Sequence, residues 1–281
     1  MTLWPTFLND LSLREGLDVL SRLWALPILI VLERCFPARP LVLFGRGWLS
    51  DAFYYFDPWF RPAVFAWLII KANDWLGAEG LIPSFQILPG IFQFLLLFLL
   101  TELVFYLMHR LMHQIPWLWE FHRVHHSSTQ YYALMTKRLH LFDEILFGFP
   151  TLCTTLALRP DPDVVFTLVF FRRFMDLYGH SNINGPRWTG YFLVTPHFHA
   201  WHHSAEPEAF NKNFSRDTVF LDYLFGTAYY PKDRIATIFG EPGYTSHYLR
   251  QQIQPFLEIG WRLFSRNPSS PRSIDKAPPF V

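Results

Sequence analysis

The sequence predicts an all-α fold: an integral-membrane bundle of about four to five membrane-embedded helices, with a histidine-rich, di-metal helical cap on its cytosolic face. Three observations predict it. Hydrophobic residues make up 51% of the 281-residue chain and charged residues only 17%, against about 25% charged in soluble domains. Thirty Phe and eleven Trp are more than a soluble core of this size can hide, and Trp and Tyr favour membrane interfaces. Finally, eight of the twelve histidines stand in three tight clusters: His109 and His113; His122, His125 and His126; His199, His202 and His203. On a helix, positions i, i+3 and i+4 share a face, so each cluster is expected to point its imidazoles at one spot. Imidazoles in that number suit iron, copper or zinc rather than magnesium or calcium.

The elements follow in order. Apolar stretches cover Val19 to Phe36, Ala52 to Ile70, Phe85 to Met108, Ile145 to Leu158 and Val164 to Tyr178. The third is long enough to span a bilayer, which takes about 20 residues, and the first two suffice with tilt. The last two are short and separated by Pro160 and Pro162, which predicts a helical hairpin that enters the membrane and returns. The first cluster closes the third stretch, Pro116 turns the chain, and the second cluster follows. The hairpin then brings His180 and the third cluster back to the same membrane face. Ser246 to Phe264 mixes Leu, Ile, Phe and Trp with Arg and Gln, the pattern of an interfacial helix. The tail after Arg266 is rich in Pro, Ser and charge and is expected to be disordered. These divisions give N-terminal membrane helices over 1–84, the histidine-rich domain over 85–230, the interfacial helix over 231–265 and the tail over 266–281.

Charge orients the bundle. Asp74 and Glu79 lie in the 73–84 connection without Lys or Arg. Arg39 and Arg46 lie between the first two stretches, and Arg110, Arg123, Lys137 and Arg138 surround the first two clusters. The positive-inside rule then places the histidines in the cytosol. We expect no cleavable leader, because no basic segment precedes an apolar run with a small-residue cleavage site. The C-terminus shows no retrieval signal, so the compartment is not written there; the expected membrane is a bacterial cytoplasmic membrane or the endoplasmic reticulum. A net charge of +1 offers no basic footprint for nucleic acid. Cys35 and Cys153 lie far apart and read as packed free thiols, matching no thiolate metal site.

The clusters sit within longer motifs. Glu102 and Tyr106 precede the first as E-x3-Y-x2-H-R-x2-H; the second reads FHRVHHSS; GHSN runs from Gly179 to Asn182; the third reads TPHFHAWHHS from Thr195 to Ser204; and LDYLFGT closes the region at Thr227. From about Phe92 to Tyr230, this pattern resembles the fatty acid hydroxylase / sterol desaturase superfamily of integral-membrane di-iron oxygenases. One stretch departs from it: Arg138 and His140 are followed by Leu141, with Asp143 and Glu144 near the family's acidic position. The resemblance implies two iron ions that activate dioxygen, and hydrogen abstraction from a lipid that ends in hydroxylation or desaturation. It also implies His180 as a further ligand, beside His109, His113, His122, His125, His126, His199, His202 and His203. So many imidazoles exceed the needs of one ion. A metal cofactor is needed because no side chain attacks an unactivated C–H bond.

Other residues carry weaker expectations. Glu102 reads as an orienter of a ligand imidazole or as a snorkelling glutamate, and Asn182 and Asp222 as ring holders. Asp176 reads as a hydrogen-bond partner of a ligand histidine, or as helix solvation, more than as a ligand. His197 is out of phase with its cluster, His140 reads as a supporting residue, and His247 as solvated. Tyr54 to Phe56 and Tyr131 to Tyr132 read as interface anchors or as lining for a lipid channel.

Three other readings compete with the oxygenase. A zinc or iron transporter usually holds its ligands at mid-membrane. A zinc protease requires H-E-x-x-H, whereas the first cluster reads HRLMH. An inactive scaffold fits poorly with complete clusters. The chain has no haem, Rossmann or iron–sulfur signature, so a separate reductase, ferredoxin or haem protein must supply electrons. The resemblance admits sterols, fatty acyl chains, sphingoid bases, glyceryl ethers and carotenoids as the lipid, and the sequence does not choose among them.

Overall fold

The computed structural model describes residues 25–42, 44–56, 71, 81–241 and 244–264. Parts of the first two apolar stretches, most of the 73–84 connection and the 266–281 tail lie outside the described residues. Among the described residues the chain is all-helical, as expected, and β structure is limited to three isolated bridges. The helices are α1 (25–35), α2 (Trp48–Phe56), α3 (Gly90–Gln114), α4 (Pro116–His126), α5 (Leu141–Leu158), α6 (Pro162–Gly179), α7 (Pro196–His202), α8 (Phe220–Leu224) and α9 (Tyr248–Phe264).

α3 organises the bundle, and its amphipathicity is inverted. Leu95, Leu96, Leu99, Leu100, Leu103 and Leu107 are exposed, while Gln93, Thr101, Glu102 and His109 are buried. In water this arrangement would waste apolar burial. In a bilayer it is the favourable one, because lipid takes the leucines and protein takes the polar groups. The buried stripe recurs every four residues from Gln93 through Leu97, Thr101 and Phe105 to His109, so a single helix face carries the chain's polar groups inward.

α3 and α5 are long and apolar enough to cross a membrane. α6 carries Arg172, Arg173 and Asp176 and does not meet that description. α5 and α6 each pack on α3 rather than mainly on each other. Their connection is fixed by Arg159 in a left-handed conformation (φ 50°) and by Asp161 N donating to Gln93 Oε1 at 2.7 Å. Phe85, Leu97, Leu158, Val164 and Leu168 form the apolar cluster there. Leu97 precedes His109 by twelve residues, so this cluster lies about 18 Å along α3 from the histidines.

Pro116 stands at the start of α4, where its missing N–H costs nothing, and the chain reverses between α3 and α4 without a loop. Thr195 caps α7 through its side chain, with Pro196 at the first position. α9 lies across α4. Gln251 Nε2 donates to Ser127 Oγ at 3.0 Å, Arg262 pairs with Glu120 at 2.6 Å, and Leu249, Ile253, Phe256 and Leu257 remain exposed. Cys35 is exposed rather than packed, because it lies on the outward side of α1.

Candidate metal centre

The nine imidazoles gather in two groups, His109, His113, His122, His126 and His202 in one, and His125, His180, His199 and His203 in the other. Within each group the ligand-type nitrogens lie within 4.8 Å of one another. The expectation that each cluster points at a single spot is corrected. His122 and His126 share a group while His125 leaves it, and His199 and His203 share a group while His202 leaves it. Helix geometry explains the split. At about 100° per residue, i+4 lies about 40° past i and i+3 about 60° short of it. The last two histidines of each H-x2-HH run therefore diverge by about 100° and reach different groups.

Five rings are fixed through Nδ1. His109 donates to the Phe214 carbonyl at 2.8 Å, His125 to Arg138 O at 3.2 Å, His180 to Asp176 O at 2.7 Å and His202 to Lys212 O at 2.9 Å. His122 Nδ1 contacts Asp143 Oδ2 at 3.4 Å, with both side chains fully buried. A carbonyl cannot donate, so the four carbonyl contacts set the tautomer of His109, His125, His180 and His202 and leave each of those Nε2 as a bare lone pair.

The peptide that anchors His109 and His202 is itself unusual. Asn211 and Asn213 adopt φ of 58° and 60°, the left-handed region that Asn tolerates better than most residues. Asn213 is fully buried. Its amide donates to Phe198 O at 3.0 Å and Tyr229 O at 2.9 Å, and its oxygen accepts from Tyr229 N at 2.7 Å. The carbonyls on either side, Lys212 and Phe214, then reach two rings of the first group. Asp222 accepts from Phe214 N at 2.8 Å, Ser215 N at 2.9 Å and Thr227 Oγ1 at 2.6 Å. Because the Thr227 proton is committed to Asp222, the Tyr106 hydroxyl donates to Thr227 at 2.8 Å.

Several expected ring holders act at one remove or elsewhere. Glu102 touches no imidazole; it accepts from Asp217 N at 2.9 Å and so steadies the same loop. Asn182 donates to Arg39 O at 2.8 Å and not to a ring. The Asp176 carboxylate pairs with Arg216 at 2.8 Å, and its backbone carbonyl, not its side chain, serves His180. His140 caps α5, accepting from Phe142 N at 3.0 Å, while His197 contacts Asn184 at 3.1 Å; neither joins a group. His247 is exposed. Tyr54 is buried against Tyr248 with ring centroids 4.6 Å apart, which makes it core rather than an interface anchor. Tyr131 donates to Gly179 O at 2.5 Å and lies 6.2 Å from the His180 ring at an interplanar angle of 18°.

Arg138 escaped the sequence reading as a supporting residue, although its R-x-H setting was visible. Its guanidinium is pinned to Asp51 of α2 at 2.5 Å, and its carbonyl holds His125.

The arrangement suits cations. His109 and His122 face each other Nε2 to Nε2 at 3.2 Å, and His125 and His180 at 3.1 Å. The Nδ1 protons of His125 and His180 are already donated to carbonyls, so their contact sets lone pair against lone pair. That is repulsive unless a cation sits beside them. Nitrogens bound side by side to one transition metal stand about 3 Å apart, which matches. Nε2 of His113 and of His202 is buried with no hydrogen-bond partner among the described residues. Burial among other imidazoles holds His122, His125, His126, His199, His202 and His203 well below the usual histidine value and pushes His180 down to about 4. Neutral imidazole is the form that binds metal.

The family model for fatty acid hydroxylase matches residues 94–227, which contain all nine of these histidines. The ornithine lipid hydroxylase of Rhizobium tropici is 33% identical over 61% of this chain and 53% of its own length. Human cholesterol 25-hydroxylase is 27% identical over 54% of this chain and 58% of its own. The alkylglycerol monooxygenase of Xenopus tropicalis is 27% identical over 62% of this chain and 38% of its own. The chain thus spans less than two-thirds of each of these relatives. No solved structure matches it.

Proposed function

We propose that this chain, which belongs to the fatty acid hydroxylase / sterol desaturase superfamily, is a membrane-bound di-iron oxygenase that hydroxylates or desaturates a lipid with dioxygen and electrons from a separate donor. The observation that carries this reading is the pair of imidazole groups whose Nε2 atoms face one another. His109, His113, His122, His126 and His202 would hold one iron; His125, His180, His199 and His203 the other. Bound there, the iron pair would supply the oxidising power that no side chain has.

The chain's own residues do the rest. The Nδ1 contacts to Phe214, Arg138, Asp176, Lys212 and Asp143 fix ring orientation, the role outer partners play at metal sites. Phe105, Phe147 and Phe214 wall the first group, with Phe147 ring centroids 5.5 Å from His109 and 5.4 Å from His122. Such a wall excludes water and accepts an alkyl chain. The all-nitrogen donor set leaves more positive charge on the metals than carboxylates would. Arg46, Arg110 and Lys137 on the histidine side support a cytosolic metal face, where a reductase, ferredoxin or haem protein can dock. Residues 85–230 form the domain that would carry this chemistry.

The test is elemental analysis with Mössbauer spectroscopy of detergent-purified protein. About two coupled irons per chain, lost in His125→Ala and His202→Ala, are expected. A single zinc, or no metal after expression with added iron, would overturn the di-iron reading. Lipid profiles of cells with and without the protein would then identify the substrate.

A further inference from the structure

Arg39 is buried, 6% exposed, in the segment after α1. Its Nε donates to Ala236 O at 2.5 Å, and its guanidinium lies over the Tyr131 and Phe239 rings at 5.4 and 5.5 Å. Both terminal nitrogens, Nη1 and Nη2, are buried with no hydrogen-bond partner among the described residues. Among the described residues no carboxylate pairs with it. Oε1 of Glu33, the acid of this region, instead accepts from the N–H groups of Ala133 at 2.6 Å and Asn182 at 2.8 Å.

The surroundings add positive charge rather than removing it. Arg187 is close enough to repel both Arg39 and His197. Ser181 Oγ is also buried and unpartnered among the described residues. The pairing of Ala38 N with Asn182 O at 2.8 Å ties the Arg39 segment to Ser181 and Asn182. Buried guanidinium groups are normally paired, because an uncompensated buried charge is destabilising. A planar fork with two free N–H edges matches a carboxylate or phosphate.

We propose that the unpaired edges of the buried Arg39 guanidinium anchor an oxyanion, the carboxylate or phosphate of a lipid, beside the second imidazole group. One aromatic ring separates the two: Tyr131, under the guanidinium, lies 5.6 Å from the His203 ring. A lipid held there would present carbons near its anionic end to that group. This last point rests on the oxygenase reading; the anion site does not.

The test titrates full-length protein in detergent with short-chain phosphatidic acid, octanoate, inorganic phosphate and the matching neutral diacylglycerol, following thermal unfolding. Wild type is compared with Arg39→Met and Arg39→Lys. An oxyanion should raise the wild-type midpoint saturably, with apparent affinity falling at least tenfold in Arg39→Met and less in Arg39→Lys, which keeps charge without the fork. Without anion, Arg39→Met should unfold at or above the wild-type temperature, since an apolar chain replaces an unneutralised charge. A response to the anionic lipids alone supports the lipid source; a response to inorganic phosphate as well overturns that assignment in favour of a free-ion site. No saturable response in wild type, or a response that survives Arg39→Met, would overturn the proposal. So would an Arg39→Met protein that fails to fold or unfolds well below wild type without anion, with Arg39→Lys stable but unresponsive, since that marks a structural arginine. No readout involves turnover, so an inactive oxygenase and a missing anion site are separate results.

Discussion

Replacing Asn213 probes how the first imidazole group is held. Its left-handed backbone (φ 60°) costs an L-residue such as Ala about 1–2 kcal/mol. Asn213→Ala also strands the Phe198 and Tyr229 carbonyls and the Tyr229 N–H, each at about 1–3 kcal/mol. The low ends of these ranges give about 4 kcal/mol for Asn213→Ala. Asn213→Gly avoids only the backbone part and should lose about 3 kcal/mol. Unfolding midpoints should therefore rank wild type above Asn213→Gly above Asn213→Ala. The Lys212 and Phe214 carbonyls would no longer be aimed at His202 and His109, so metal content should fall, and because α4 and α7 each serve both groups, the two groups should empty together. Equal stability of the Gly and Ala variants would refute the backbone argument. Full metal content in a folded Asn213→Ala protein would refute the positioning argument.

Three further outcomes follow from the same contacts. Asp143→Asn should weaken metal retention by about 10–100-fold in a chelator competition, because the His122 Nδ1 loses its carboxyl partner. Asp176→Asn should keep metal content within about twofold of wild type by elemental analysis, since only the Asp176 backbone serves His180 and outer-partner effects need the side chain. In metal-free protein the buried imidazoles stay neutral below the ordinary value of 6.5, whereas in the unfolded chain they take up protons there. The unfolded state then binds more protons, so stability rises with pH. The unfolding midpoint should drop as pH falls from about 7.5 to 5.5 and level off above. A flat profile across that window would contradict neutral burial.

Much of the site was legible in the histidine spacing, because helical periodicity ties side-chain direction to position. His109 and His113, the two H-x2-HH runs and His180 do converge. Which of them share a group was hidden, since sharing turns on a 100° rotation between neighbours and on how α3, α4 and α7 meet. The partners of Nδ1 were mostly invisible for a different reason. Four of the five are backbone carbonyls, and a carbonyl leaves no mark in residue type. Only the doubled asparagine of Asn211 and Asn213 hints at the turn that presents two of them. Glu102 was expected at a ring because a buried membrane carboxylate needs a partner; it found one in the Asp217 N–H instead. The long apolar helices were legible from composition, whereas the packing of α5 and α6 on α3 depends on the inverted face of α3, which only the folded arrangement reveals.

The division of each H-x2-HH run between two groups makes α4 and α7 act as yokes. Neither helix can roll to improve its reach towards one group without pulling a histidine away from the other. With His199 and His203 only four positions apart, there is no slack to absorb such a roll. The two groups are therefore mechanically linked, and occupying one prepays the ordering of the other. Loading should be cooperative, and singly occupied protein should be scarce at every point of a titration. A lost ion would loosen both helices, so the centre would empty as a pair.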